Sequence, residues 1–479
     1  MGANASKPAA PDQPNQRLVL FQQLASQSRE RENPRAQLFQ FVAEARRTDR
    51  SRSPAERPSS SAGLSVTTSG FKSMSEAFAI IPEQITQSMA NEVGQDRVDA
   101  ALQKLATAHV TTSFSGSGLA EVAVAALGAQ HATRVHFGRA IEWLPVCQKV
   151  LSARDPGRCI FEDISSLTGK IQCSKKGSVH CRNVARKAHC VTHKGMCEVQ
   201  PAKLTEQWRM EIGGPPCPPW SSFGSGLGTD DHRYTYMQAW ACLILKELPD
   251  IVLFENVSRF ERRLLEVLLG KSYNIFLDDL DPRFFGYPMA RPRCYGILVL
   301  KQHKWIGPSQ SWLECMAAVK RLPAKNDPLI FAERPDLASR RQLTDSEKKH
   351  LKQYESLEPD HRLYGKDIVD LQQSTGRPVG TLKDNCLPTI LTTNKLYVRS
   401  RSQFLSGAQL LRAMGWPVHA SDSQTLGLAH KPLPPDVQDV DLKAMAGNGM
   451  FSPCLALACM AALLFVELTT KHEAQSSKQ

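Results

Sequence analysis

From about residue 75 the chain alternates short apolar runs with longer segments of helical spacing, and this alternation restricts the fold more than any other feature. His109 to Phe114 reads as a strand entering a glycine turn, and Leu119 to Leu127 as the helix after it. Arg134 to Ala140, Arg158 to Phe161, Asp250 to Phe254 and Cys294 to Leu300 read as further strands, and Glu211 and Ile212 lead into another turn. The pattern predicts an α/β fold: a Rossmann-like, mostly parallel sheet covered on both faces, with ligand sites beyond the carboxyl ends of its strands. With 479 residues, the chain has room for this unit and a smaller one.

The first turn, Phe114-Ser-Gly-Ser-Gly118, joins strand to helix. Gly116 and Gly118 allow a tight bend and a close approach of ligand to backbone, at a helix start whose amides point outward. Chance turns and dinucleotide sites together account for such a Gly-x-Gly as often as a methyl donor does. Glu142 follows the second strand, where a carboxylate can accept two ribose hydroxyls, and Trp143 beside it can cover an adenine. Asp163 follows the third strand, placed to accept from an adenine amine. Individually these residues read as a helix cap, a core aromatic and a turn acid; their order around one sheet favours the cofactor.

Gly213-Gly-Pro-Pro-Cys-Pro-Pro-Trp-Ser-Ser222 directly follows a strand. Its prolines stiffen a loop around a single thiol, Cys217, which needs local donors or cations to become a good nucleophile. Phe254-Glu-Asn-Val257 sets an acid and an amide at another strand end. Pro288-Met-Ala-Arg-Pro-Arg293 brings two alternating arginines into a strand, able to share one face.

Together these segments resemble the cytosine-C5 DNA methyltransferase family. They include the glycine turn with Glu142 and Asp163, Pro216-Cys217, Glu255-Asn256-Val257, Arg291 with Arg293, and Gly447-Asn448, in family order over about residues 110 to 468. The resemblance implies the sheet of an S-adenosylmethionine-dependent methyltransferase with a smaller target-recognition domain. It also implies S-adenosylmethionine held by Phe114, Gly116, Gly118, Glu142, Trp143, Asp163, Ile164, Pro216 and Asn448. Catalysis would fall to Cys217 as nucleophile with Glu255, Asn256, Arg291 and Arg293; Ser221, Arg233, Asn256, Arg291 and Arg293 would hold the flipped base or its strand. Two positions depart from the pattern, Pro218 and Met289 standing where the DNA enzymes usually carry Gln. Double-stranded DNA is the expected substrate. Transfer RNA stays open, because one branch of the family uses the same chemistry on it, and a catalytically silent nucleic-acid-binding scaffold is the third reading.

The net charge of +12 suits a polyanionic partner. Residues 1–72 read as a flexible basic region, with an amphipathic helix over 18–47 and an Arg, Ser and Pro-rich linker over 46–70. This region is a candidate for protein partners or a nuclear address, hence an expected nuclear location. The opening Met-Gly-Ala-Asn-Ala-Ser matches an N-myristoylation pattern. The catalytic domain is expected over 73–300, target recognition over 301–425 with Lys301, His303, Lys304, Trp305, Lys320 and Arg321, a return to the catalytic domain over 426–470, and a disordered tail over 471–479. Leu455 to Val466 is apolar but short for a membrane span and reads as a buried helix. The thirteen scattered cysteines suggest mostly free thiols. An insert over 168–205 carries Cys173, His180, Cys181, His189, Cys190, His193 and Cys197. The spacing Cys190-x2-His193-x3-Cys197 is compatible with zinc, but no paired Cys-x2-Cys knuckle is present, and phosphate contact by a basic insert is preferred, with no metal ligand assigned.

Overall fold

Four strands at the centre of the sheet carry the functional segments, and their register decides what those segments can meet. The computed structural model describes residues 71–469 apart from 170, 174–178, 182–183, 200–206, 222–223, 322–326, 335, 338–339, 362, 374 and 377–385. The amphipathic helix expected over 18–47 and the linker over 46–70 lie outside the described residues, as does most of the C-terminal tail.

In chain order the strands of interest are β1 (Ala108–Ser113), β2 (His136–Ile141), β3 (Ile160–Phe161), β4 (Ile171–Cys173), β5 (Val179–Cys181), β6 (Lys187–Cys190), β7 (Gly195–Glu198), β8 (Trp208–Gly213), β9 (Ile251–Val257), β10 (Tyr273–Leu280) and β11 (Arg293–Leu300). All but β4 and β5 form one nine-stranded sheet, ordered β10-β11-β9-β8-β1-β2-β3-β6-β7. β3, β2, β1, β8 and β9 run parallel, while β11 is antiparallel to β9 and β10 to β11. At the other edge the β6–β7 hairpin joins β3 antiparallel. β4 and β5 pair separately. The fold is therefore the expected α/β type, with antiparallel additions at both edges.

Strand order reverses between β1 and β8, the crevice where ligands of such sheets bind. Ser113 pairs with Gly213 and Gly213 with Phe254, so β1 and β8 end level with one another while β9 runs three residues further, through Glu255 to Val257. Because β11 runs the other way, its first residue Arg293 lies opposite Val257, at the same rim. The glycine turn, the Cys217 loop, Glu255 and Arg293 thus converge from segments up to about 180 residues apart.

Helix α1 (Leu119–Ala129) follows the glycine turn and is buried almost all round, as its uniformly apolar sequence requires. It packs against the late helix Ser452–Phe465, whose residues Ser452 through Leu464 are all buried. Ser452 Oγ donates to the Leu119 carbonyl at 2.9 Å. Each leucine enclosed there contributes roughly 1.5–3 kcal/mol. The apolar window within Asp439–Phe465 has the length and composition of a membrane span, yet is 89% buried inside the protein. Its apolarity serves the core.

Within 301–425, a small core of Tyr354, Leu363, Val369, Leu371, Tyr397 and Phe404 surrounds helix Asp345–Glu355 and three short strands. Trp312, Phe331, Ile390 and Leu410 belong instead to the main core.

A buried polar cluster pins the sheet beneath the cofactor turn. Arg158 donates to Glu121 at 2.7 Å, to Thr112 Oγ1 at 2.8 Å and to the carbonyls of Gly138 and Arg139 at 3.0 and 2.9 Å. It joins β1, α1, β2 and the approach to β3. Removing one partner strands a buried charge, so Glu121→Ala should destabilise the full chain by about 3–5 kcal/mol in urea unfolding. Lys149→Ala, which breaks only the exposed pair with Asp436, should cost no more than about 1 kcal/mol. Equal losses would contradict this account.

Candidate active site

The cofactor side begins where β1 ends. Phe114, Gly116 and Gly118 have φ of 57°, 55° and 87°, so the chain reverses through three left-handed residues before α1 starts. Such a conformation suits the glycines and strains Phe114. The Gly116 amide donates to Glu142 Oε2 at 2.7 Å and the Leu144 amide to Oε1 at 2.9 Å, fixing the carboxylate between the turn and the end of β2. Each oxygen keeps a lone pair for another donor. Burial pushes the Glu142 carboxyl up, opposed by those two amides and that of Trp143. Trp143 is 69% exposed, which removes the core reading and leaves a free aromatic face beside the acid. Asp163 caps helix Ile164–Thr168, accepting from the Ser165 amide at 2.9 Å and its hydroxyl at 2.7 Å, and Ile164 beside it is buried.

Two observations test whether this pocket suits an adenosyl cofactor. Ser117 Oγ, inside the turn, is buried with no partner among the described residues, and a Cβ added at Gly116 would meet open space. A ligand that donates or accepts hydrogen bonds and lies against the turn satisfies both. Pro216 stands half-buried before Cys217, and Asn448 is exposed at the end of helix Asp439–Asn448.

On the chemical side, the chain leaves β8 through Gly214, Pro215 and Pro216 to Cys217, a half-buried free thiol. The Cys217 carbonyl accepts from the amides of Trp220 and Ser221, both at 3.0 Å. The loop then closes on itself, with Ser225 donating to the Pro218 carbonyl at 3.1 Å and Gly228 to that of Pro219 at 2.8 Å. A Cβ at Gly224 would lie 2.1 Å from the Pro218 oxygen, so only glycine fits there. Trp220 anchors the loop on Phe260, ring centroids 4.8 Å apart. Pro218, one of the two departures from the family pattern, thus supplies a loop-closing carbonyl. Met289, the other, is fully buried and bridges to Leu387.

Glu255 and Arg293 face each other across β9 and β11, with Nε and Oε1 3.3 Å apart and each side chain 12% exposed. Burial raises the Glu255 carboxyl, partly countered by Arg293 and Arg291. The Cys217 thiol is raised by burial and by the Glu255 charge, and lowered by Arg293 and Arg291. The sulfur therefore lies within electrostatic reach of both groups, and the thiol, acid and guanidinium form one site.

Other expected residues fall elsewhere. Asn256 is 1% exposed; its Nδ2 donates to the Pro215 carbonyl at 3.0 Å while its Oδ1 accepts from the Val257 amide at 2.9 Å. It braces the loop. Arg291, expected at the substrate, is 3% exposed and donates to the carbonyls of Ile390, Gly447 and Gly449 at 2.9, 2.9 and 2.7 Å. It ties the late segment to the sheet, and its charge bears on Glu255 and Cys217 from there. Arg233 is engaged with both Asp231 oxygens, at 2.8 and 2.6 Å. Ser221 follows the loop at half-buried depth. His303 is buried against Asp250 at 2.7 Å, Trp305 stacks on Phe276 at 4.6 Å, and Arg321 lies over the Phe71 ring at 4.6 Å. These side chains serve packing. Their partners are distant in sequence, so composition gave no warning.

The sheet, its switch-point crevice and the region inserted after β11 are those of a class I S-adenosylmethionine-dependent methyltransferase, and S-adenosylmethionine is the cofactor of that class. The chain belongs to the C-5 cytosine-specific DNA methylase family, whose profile matches residues 124–382, more than half of its length. It is 35% identical over 92 residues to the Type II methyltransferase M.MthTI of Methanothermobacter thermautotrophicus, and 34% identical over 92 residues to M.NgoBI of Neisseria gonorrhoeae. Each alignment covers 18% of this chain, and 28% and 29% of the relatives, so the chain spans under a third of the length of the curated relatives it matches. The solved structure of the S. pombe Dnmt2 methyltransferase is similar with a TM-score of 0.43 and 17% identity, over 74% of this chain and 98% of that one.

The arrangement makes a signed prediction for the thiol. Glu255→Gln removes the charge that raises Cys217, so its alkylation by iodoacetamide at fixed, mildly alkaline pH should accelerate roughly 2–10-fold. Arg293→Gln removes a charge that lowers it, so alkylation should slow by a similar factor. Peptide-resolved mass spectrometry reads both. Rates indifferent to the two changes would separate the sulfur from the pair.

Proposed function

We propose that the protein transfers a methyl group to C5 of a flipped cytosine in DNA, with Cys217 as the covalent nucleophile. The observation that carries this reading is the Glu255–Arg293 pair, 3.3 Å apart, at the rim where the Cys217 loop leaves the sheet. A cytosine needs three things at once to become reactive at C5. Its C6 must be attacked, its N3 protonated, and charge at O2 offset.

The base leaves the duplex at a cost of a few kcal/mol. Cys217, once its proton has passed to solvent or a bound base, adds through sulfur to C6 and opens the C5–C6 double bond. Glu255, its carboxyl raised by burial, binds a proton more readily than a free carboxylate; it passes one to N3 and then accepts from the exocyclic amine. Arg293 holds O2 and offsets the charge developing there. S-adenosylmethionine, when bound, would supply an electrophilic methyl group for C5, its sulfonium leaving as the neutral thioether. Loss of the C5 proton to water then restores the C5–C6 double bond as the S–C6 bond breaks and frees Cys217. Asn256 and Arg291 position this machinery, Asn256 by holding the Pro215 carbonyl and Arg291 by holding the segment around Asn448.

Glu142 would accept the ribose hydroxyls, Trp143 would cover the adenine, and Asp163 with Ile164 would border it. Phe114, Gly116, Gly118, Pro216 and Asn448 would complete the wall. The region over 301–425 would read the target, with Lys349 and Lys352, exposed on helix Asp345–Glu355, gripping phosphate. Ser221 and Arg233 would meet the strand beside the flipped base. The basic N-terminal region would serve protein partners, and the nucleus is the location this role implies.

Parallel assays with labelled S-adenosylmethionine on duplex DNA and on transfer RNA test the reading. Duplex DNA should be labelled at cytosine C5, and Cys217→Ala should reduce transfer by on the order of 10³-fold or more while cofactor affinity stays unchanged. Labelling confined to transfer RNA would move the substrate assignment. Labelling of neither would leave a silent scaffold.

A further inference from the structure

Away from the active site, at the β3 edge of the sheet, the fold gathers Cys159, Cys190, His193 and Cys197. Cys159 immediately precedes β3, Cys190 ends β6, His193 sits in the turn of the hairpin, and Cys197 lies on β7. His193 Nδ1 is 3.5 Å from the Cys159 sulfur and 3.3 Å from each of the Cys190 and Cys197 sulfurs, and all four atoms lie within 4.8 Å of one another.

Hydrogen bonding alone does not account for this packing. One imidazole nitrogen carries either a single proton or a single lone pair, so it can satisfy one thiol and not three. No disulfide joins the sulfurs, and pairing any two would leave the third unpaired. A tetrahedral zinc ion answers the geometry. With bonds of about 2.3 Å to sulfur and about 2.0–2.1 Å to nitrogen, its nitrogen–sulfur edges are about 3.6 Å and its sulfur–sulfur edges about 3.8 Å. The observed nitrogen–sulfur separations of 3.3 to 3.5 Å are close to the first value, and every sulfur–sulfur separation falls within 4.8 Å.

We infer that Cys159, Cys190, His193 and Cys197 form a structural zinc site of the Cys3His type. Three thiolates favour zinc over the hard, oxygen-seeking cations, and four protein ligands close the site to substrate water. The need for such a staple is visible in the fold. Among the described residues the hairpin joins β3 in register at a single pair, Phe161 with Cys190, and the Val191 amide also donates to the Ile160 carbonyl at 2.8 Å. β3 itself is two residues long and leads within two residues to Asp163. Zinc would lock the hairpin to this strand and steady the approach to Asp163. The turn is built for the purpose, Lys194 adopting φ 52° directly after the histidine. Sequence spacing offered three of the ligands; the fourth, Cys159, lies outside the insert and comes into reach only through the sheet.

The test is elemental analysis of the full chain after purification without chelator. We expect about one zinc per chain. Cys159→Ser and Cys197→Ser should each drop well below half of that, while Cys315→Ser, a thiol elsewhere, should leave it unchanged. Replacement by cobalt should give strong thiolate-to-cobalt absorption in the wild type, weakened in Cys197→Ser, which reports on the ligands without use of activity. Wild-type protein that binds S-adenosylmethionine yet holds less than roughly 0.2 zinc per chain would overturn the assignment. So would full zinc retention in Cys159→Ser, which would place the metal on other ligands.

Discussion

The hydrogen bond from Asn256 Nδ2 to the Pro215 carbonyl ties the nucleophile's loop to the acid's strand. Register alone aligns Gly213 with Phe254, but a loop leaving β8 could still swing away from the sheet. The amide of Asn256 stops this by holding a carbonyl two residues before Cys217, in a stretch that proline makes stiff. Its other end accepts from its own neighbour's amide, so the brace is satisfied on both sides. The thiol thereby stays where the charges of Glu255 and Arg293 bear on it.

Around this brace the site divides labour by burial. Glu255 and Arg293 stand partly open at the rim, where a base could enter between them. Arg291, two residues earlier, is sealed among three carbonyls and supplies positive potential without contact. Burial and the neighbouring carboxylate raise the Cys217 thiol, and the two arginines work against them.

Much of this was legible from sequence because the functional segments are short, local runs at strand ends. β1, β9 and β11 announced themselves as short runs ending near glycine or charge, whereas β8, which carries Arg209 and Glu211, showed only its last residues, Glu211 and Ile212, leading into a turn. The edge strand β10 did not, since Tyr273–Leu280 mixes Asn274, Asp278 and Asp279 into a half-exposed pattern. The role of Arg291 was equally hidden, its partners standing 99 to 158 residues further along the chain. Trp143 shows the opposite case. Its residue type suggested core or cofactor, and its exposure rules out the core. Periodicity reads which face is buried; it cannot read which distant carbonyl a guanidinium will find.

The central claim is that one pyrimidine fits among Cys217, Glu255 and Arg293 with its C6 against the sulfur. Duplex DNA carrying 5-fluorocytosine tests it most directly, because fluorine at C5 cannot leave as a proton does and the adduct is trapped after methyl transfer. Incubation with S-adenosylmethionine should give a denaturant-stable protein–DNA complex whose mass-mapped cross-link is at Cys217. A cross-link at any other cysteine, or methylation of ordinary DNA with no trapped complex, would contradict the account.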